Sequence, residues 1–335
     1  MNLDSQSMQS YLVRKRLIKD TDAPPRVTQI GDGMKNLVYL VTTPSERLIV
    51  KQALSRVQVK ERWWIDRRRI FAENSCIKLL HQILSPAVLP EVLLEDRTDF
   101  ILVTTAPADT AVLWEDDLES GRIDLQVAVQ CGELLATVHN ETFRNKEIQP
   151  QFTETKAFEQ MRLEPYYERI IRAYPDMRKV IEEQTQALTR EACCLVLGDL
   201  RPRNVHIVNG RVYLVDFAMA HYGCPSFDLA FYATDMCVKA MNNSTQKAAY
   251  LEAVNVFWNA YFQHARYDSV QDTARLAVCD LGCQLLAVTD GRQPQMLPDE
   301  HTAELSRRMA QSLLFTRLEH IEDITEFITR TLIDG

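Results

Sequence analysis

The apolar residues of this chain change their spacing near Ala106-Pro107, and that change narrows the folds open to it. Before it, residues 26–30, 36–43 and 47–53 are short apolar or β-branched runs broken by Gly31, Gly33 and Pro44-Ser45. Such runs read as successive antiparallel strands joined by turns. One helical stretch, 66–84, interrupts them: Ile70, Phe71, Ile77, Leu80 and Leu84 recur near helical spacing, and Pro86 and Pro90 stop any continuation. Residues 92–94 and 100–103 would complete the sheet. Beyond the change, helical periodicity governs 125–139, 154–172 and 176–190; a short β interruption follows at 195–197, 205–208 and 212–215, and helices resume over 226–332. The expectation is an α+β, two-lobed fold, with a small β-rich lobe over 1–105, a large helical lobe over 106–335 and a cleft between them. The chain's 335 residues also exceed the ~250–300 at which one hydrophobic core stops growing.

Composition excludes more than it assigns. A formal net charge of −8, from 46 acidic and 38 basic residues, argues against nucleic acid as a partner, because a phosphate backbone needs a basic surface. The run Arg67-Arg68-Arg69 lies in a helical stretch and reads as a solvated face. Eight cysteines, at 76, 131, 193, 194, 224, 237, 279 and 283, lack the C-x-x-C pairs of a zinc or redox centre and read as reduced, mostly buried thiols. Residues 1–19 carry charges throughout, and no later run approaches ~18 uninterrupted apolar residues, so no membrane association and a cytoplasmic location are expected. The chain is compatible with a homodimer.

The chemistry concentrates in Leu197-Gly198-Asp199-Leu200-Arg201-Pro202-Arg203-Asn204, which sets an aspartate five residues before an asparagine, and in Val215-Asp216-Phe217, twelve residues further on. Phosphoryl transfer needs one carboxylate to position the attacking hydroxyl and take its proton, and oxygen ligands to hold magnesium on the phosphates. Magnesium keeps several waters, so Asn204 and Asp216 suffice as its candidate protein ligands and Asp199 is left as the catalytic carboxylate. In the first lobe, Gly31, Asp32, Gly33 and Asn36 form a turn whose backbone amides would approach phosphates, with a plain hairpin turn as the competing reading. Lys51 ends the run Leu48-Ile49-Val50 where a phosphate-reaching lysine would stand, and Glu73 on the next helix can reach back to it. A solvated strand end and a surface glutamate are their alternatives. Adenine is expected against backbone near residues 104–107.

At the catalytic loop and the downstream aspartate the sequence resembles the aminoglycoside phosphotransferase and choline kinase superfamily, distant relatives of protein kinases, whose loop reads H-G-D-x-x-x-x-N before a strand ending in D-F or D-x-x. The resemblance covers about residues 25–265 and implies a protein-kinase-like fold, ATP and Mg2+ as cofactors, a small-molecule hydroxyl acceptor, and the roles given above for Asp199, Asn204 and Asp216. It further implies that Asp228 braces the catalytic region; His139 reads as capping and packing its helix. Leu197 stands where the superfamily usually has histidine.

Within the superfamily, Ile30-Gly31-Asp32-Gly33 with Asn36, Val50-Lys51-Gln52-Ala53, Trp64-Ile65-Asp66-Arg67 and Ala220-His221-Tyr222-Gly223 look like the corresponding stretches of methylthioribose kinases. Those enzymes read H-G-D-L-H-T-G-S and D-P-E where this chain has Arg201-Pro202-Arg203-Asn204 and Asp216-Phe217-Ala218, and Arg307-Arg308 reads as a solvated helix face. Arg201 and Arg203 are therefore acceptor-side candidates that favour an anionic acceptor or contact the γ-phosphate, and methylthioribose is expected to be a weak substrate or none. An aminoglycoside- or choline-type acceptor and a nucleotide-binding pseudokinase scaffold are the alternatives.

Overall fold

The structure, a computed structural model, describes residues 3–20, 24–31, 33–59, 62–291, 297, 299–315, 326–327 and 330. A short helix α1 (Met8–Arg14) precedes β1 (Arg26–Ile30), β2 (Asn36–Thr42) and β3 (Arg47–Ala53); α2 (Arg69–Ile83) then leads to β4 (Val92–Asp96) and β5 (Ile101–Thr105). The five strands form one antiparallel sheet in the order β1-β2-β3-β5-β4.

Strand periodicity decides what each face of this sheet presents, because successive side chains point to opposite sides. On β3, Leu48 and Val50 join a small core with Met8, Tyr11 and Leu12 of α1 and with Tyr39, Val41, Ile101 and Val103 of the neighbouring strands. The intervening Arg47, Ile49 and Lys51 line the cleft on the other face, as do Val38 and Leu40 of β2 and Leu102 and Thr104 of β5. Pairing of Lys51 with Val38 on one side and Leu102 on the other fixes the lysine's register.

After the sheet come β6 (Val112–Leu113), α3 (Trp114–Glu119), α4 (Leu125–Thr142), α5 (Lys156–Phe158), α6 (Arg169–Ala173) and α7 (Arg178–Arg190). Between α5 and α6 the helix widens into π-type turns over Glu159–Glu168, around Pro165. Proline has no N–H and crowds the carbonyl four residues back, so a locally widened helix accommodates it. The strands β7 (Cys194–Val196), β8 (Val205–Val208), β9 (Arg211–Leu214) and β10 (His221–Gly223) follow, and then α8 (Ser226–Asn242), α9 (Lys247–His264), α10 (Val270–Asp290) and α11 (Glu300–Phe315). The main core lies among these helices and reaches up to α2 through Ile70, Ile77 and Leu80.

Two features differ from the expectation. Helix α1 was hidden by the charges around it, although Met8, Tyr11 and Leu12 occupy the i, i+3, i+4 positions of a buried face. The strands β6 and β10 are two and three residues long, too short to register a period. The final helical stretch is described as far as Phe315, and most of 316–335 lies outside the described residues. All eight cysteines are free thiols, and no helix among the described residues is long and apolar enough to cross a membrane.

Candidate active site

The cleft between sheet and helices has a volume of about 540 Å³, within the range of small-molecule sites. At its roof, Gly31 and Gly33 adopt φ of 73° and 64°, the left-handed region glycine favours, while the predicted Asp32 lies outside the described residues. Asn36 lines the cleft and its Oδ1 accepts from Arg69 Nη2 at 2.8 Å. The same guanidinium donates to the carbonyls of Lys35 (2.6 Å), Leu54 (3.1 Å) and Asp66 (2.8 Å). Arg69 is thus buried and ties the end of the glycine turn to α2, which corrects the reading of Arg67-Arg68-Arg69 as a solvated face. Arg67 stacks over Phe100 at 3.8 Å, and Arg68 alone of the three is well exposed, paired with Asp66.

Lys51 Nζ donates to Glu73 Oε1 at 2.7 Å, to Glu73 Oε2 at 3.0 Å and to Asp216 Oδ1 at 3.1 Å. Burial alone would lower the lysine pKa, but the Asp216 and Glu73 carboxylates outweigh it and hold the ammonium charged. Asp216 is likewise pushed up by burial and pulled down further by Lys51, ending below the usual carboxylate range. Its backbone is held at φ 64°, an uncommon conformation for a side chain other than glycine.

Asp199 and Asn204 line the same cleft, and the Asn204 carbonyl accepts from the amide of Val215, the residue before Asp216, at 3.0 Å. Asn204 spends its Nδ2 on the Asp199 carbonyl at 2.8 Å, leaving its Oδ1 as the oxygen a hard cation would take. Among the described residues no cluster of three His, Cys, Asp or Glu side chains is placed to hold a metal by protein ligands alone. One carboxylate and one amide oxygen nevertheless fit magnesium, which takes the rest of its shell from phosphates and water.

The catalytic loop is fixed from below. Asp228, at the start of α8, accepts from the Leu197 amide through Oδ2 and from the Gly198 amide through Oδ1, both at 2.7 Å. His139 backs it through Nε2 at 3.4 Å, with Nδ1 on the Tyr261 hydroxyl at 2.8 Å. His139 is therefore a fully buried link inside α4 rather than a cap. Gly198 sits at φ 76°, and a Cβ there would stand 2.6 Å from the Met219 carbonyl oxygen. Leu197, in the superfamily's histidine position, joins the main core, and Ala218 packs in a small apolar cluster with Val57, Trp63 and Met161.

Arginine surrounds the Asp199 carboxylate. Arg162 Nη2 and Arg201 Nε each approach Asp199 Oδ1 to 2.9 Å, and Arg162 Nε also donates to the Gly198 carbonyl at 3.2 Å. Arg162 and Arg201 are only 2% and 7% exposed. Burial raises the Asp199 pKa, but Arg201 and Arg162, aided by Arg203 and Lys35, overcome that effect and keep the carboxyl ionised far below its ordinary range. Arg203 and Lys35 line the cleft itself. Sequence reasoning missed Arg162, because nothing in its own helix signals a partner 37 positions away at Asp199.

The segment at 104–107, where adenine is expected, borders the cleft through Thr104, Thr105 and Pro107. The Thr105 and Ala106 amides already donate to the carbonyls of Glu91 and Arg47, and Pro107 has no N–H, so the segment offers a base few free donors. Apolar Ile49, Leu102, Leu113 and Val215 form the cleft walls beside it.

The chain is similar to proteins already known. The methylthioribose kinase of Pectobacterium atrosepticum is 28% identical over 231 residues, which span 60% of this chain and 57% of that enzyme's length. An amicoumacin kinase solved with AMP-PNP, Ca2+ and its antibiotic superposes with a TM-score of 0.58 at 15% identity, covering 91% of this chain and 93% of the other. A choline/ethanolamine kinase family protein from Mesorhizobium loti gives 0.55 at 14% identity, covering 99% of both chains. These likenesses establish a kinase-like fold, and because residues 26–269 match the Phosphotransferase enzyme family, this chain belongs to that family.

Proposed function

We propose that the protein is an ATP-dependent small-molecule kinase that transfers the γ-phosphate to a hydroxyl of a small sugar-like metabolite. The observation that carries this reading is the meeting of Lys51, Glu73 and Asp216 with Asp199 and Asn204 in one cleft, assembled from four separate segments of the chain. Residues 1–105 serve as the nucleotide-binding lobe and 106–335 as the catalytic and acceptor-binding lobe. The glycine turn and Asn36 receive the phosphates, and Lys51, held by Glu73, supports their charge. Asn204 and Asp216 are the residues that would hold magnesium, which when bound neutralises phosphate charge. The acceptor oxygen forms its bond to the γ-phosphorus as the bond to the β–γ bridging oxygen breaks, and the hydroxyl proton passes to Asp199. A carboxylate as weakly basic as Asp199 acts first by orienting the hydroxyl and takes the proton late, as a loose phosphoryl-transfer transition state permits.

Methylthioribose is the first acceptor to test, given the 28% identity to one such kinase. The departures at Arg201, Pro202, Arg203 and Ala218 argue that it reacts poorly. A pseudokinase role is disfavoured because every charged group of the transfer chemistry is retained. An aminoglycoside or choline would bring its positive charge up to a wall of arginines. Steady-state kinetics with methylthioribose, other sugars, polyols, amino alcohols and aminoglycosides tests the reading. A specificity constant of about 10⁴ M⁻¹s⁻¹ or more for methylthioribose would make it the substrate despite the altered loop. Absence of ATP turnover with every acceptor, together with absence of Mg-nucleotide binding, would sink the proposal.

A further inference from the structure

Two buried guanidinium groups share a single carboxylate oxygen beside the reacting position. Arg162 Nη2 and Arg201 Nε both lie 2.9 Å from Asp199 Oδ1, near enough to pair electrostatically, yet neither approach has the direction of a hydrogen bond. Arg162 spends Nε and Nη1 on the carbonyls of Gly198 and Met161 and lies with Arg201 against the Phe231 ring, at 4.7 and 5.3 Å from its centre. Of the other acids that act on Arg201, Asp235 shares Lys239 with Glu115 and Asp216 shares Lys51 with Glu73. Among the described residues both guanidinium groups thus pair with Asp199 alone, and a buried, incompletely paired charge is costly enough to demand a counterion.

Nucleotide phosphates do not meet that demand. They would enter beneath Gly31 and Gly33 toward Lys51, where Lys35 and Arg203 also line the cleft, whereas Arg162 and Arg201 sit against the Asp199 carboxylate rather than against Lys51. Burial, reinforced by Arg162, Arg201 and Arg203 and opposed by Asp199, pulls the Lys35 ammonium down to about 7.

We infer that the acceptor carries an oxyanion, a carboxylate or a phosphate monoester, close to its reactive hydroxyl, and that Arg201 with Arg162 recognises it as the hydroxyl settles on Asp199. The inference rests on the reading of Asp199 as the hydroxyl-facing carboxylate. It gives the site a reason to reject neutral sugars, because a neutral acceptor would leave buried guanidinium donors unanswered.

Calorimetry on protein saturated with Mg2+ and AMP-PNP tests it, since the nucleotide site is then filled. The probes are matched pairs, D-gluconate against D-glucitol and D-glucose 6-phosphate against D-glucose, whose two acids separate carboxylate from phosphate. At least one acid is expected to bind roughly tenfold or more tightly than its neutral partner, the size of a charge-assisted hydrogen bond. Arg201→Gln should abolish that preference while AMP-PNP affinity stays within about twofold, and Arg201→Lys, which keeps the charge, should retain part of it and guard against a folding artefact. Equal or tighter binding of the neutral partners, no binding of either acid at about 20 mM, or a preference that survives in Arg201→Gln overturns the inference. Failure of AMP-PNP to bind would instead strike at the nucleotide cleft and hence at the proposed function.

Discussion

The two walls of the cleft balance their charges differently. On the nucleotide wall Lys51 is matched by Glu73 and Asp216, with Nζ within 3.1 Å of both. On the acceptor wall Asp199 stands against Arg162 and Arg201, with Arg203 and Lys35 adding further positive charge. A wall on which two carboxylates face one lysine suits a ligand that arrives with a cation, as a metal-bound nucleotide does. A wall in positive surplus suits an anion that arrives without one. The walls should therefore be separable by mutation, and the variants below are ordered by the size of the effect expected.

Asp199→Asn should reduce turnover by about 10²- to 10⁴-fold, the range for a lost positioned base, with nucleotide affinity nearly unchanged. Steady-state kinetics on the purified variant checks this, and wild-type-like turnover would remove Asp199 from the chemistry. On the opposite wall, Lys51→Met should lose about 10²-fold in turnover, and Glu73→Gln less, in a protein that remains folded. Because the two side chains are in direct contact, their losses should not add in a double-mutant cycle; additive losses would mean that they act separately.

Smaller effects probe the frame that holds the walls. Gly198→Ala must keep a φ of 76° and set its Cβ against the Met219 carbonyl, so about 1–3 kcal/mol of stability should be lost by urea titration. Asp280 tests the same frame through pH. It is buried in the helical lobe, accepting from Tyr167 at 3.0 Å and Ser226 at 2.6 Å with no cation beside it among the described residues, and burial raises its pKa from 3.8 to about 7 despite those hydrogen bonds. The folded state then holds the proton more tightly than the unfolded chain, so stability is full below pH 3.8 and is lost as pH rises through about 7. Asp280→Asn, which cannot ionise, should flatten that slope and gain on wild type as pH rises through this interval. Urea midpoints measured at both ends of the interval check this, and parallel pH profiles would contradict it.

The same contrast explains how much of the molecule was legible in its sequence. Lys51 was legible as the lysine that ends the apolar run Leu48-Ile49-Val50, and the strand ends could be read from residues such as Pro44 and Gly33. Glu73 was readable because the helix carrying it follows that strand directly. The spacing of Asp199, Asn204 and Asp216 is local and survives without any knowledge of the fold. Arg162 was not readable, because a long side chain crossing from the widened turns of 159–168 to the catalytic loop leaves no periodic trace. Arg69 misled for a related reason: three successive arginines look solvated, yet helical geometry sends one of them inward to the carbonyls of Lys35 and Leu54. The spent amides at Thr105 and Ala106 depend on strand pairing and chain path, which side-chain identities do not encode.

Calorimetric titration of Mg-AMP-PNP into Asp216→Ala and Asp199→Asn, side by side with wild type, tests the separation of the two walls most directly. Asp216 is proposed to grip the metal that bridges the phosphates, so Asp216→Ala should lose roughly tenfold or more in magnesium-dependent affinity. Asp199→Asn, altered only on the acceptor wall, should bind within about threefold of wild type. Unchanged affinity in Asp216→Ala, or an equal loss in both variants, would contradict the account.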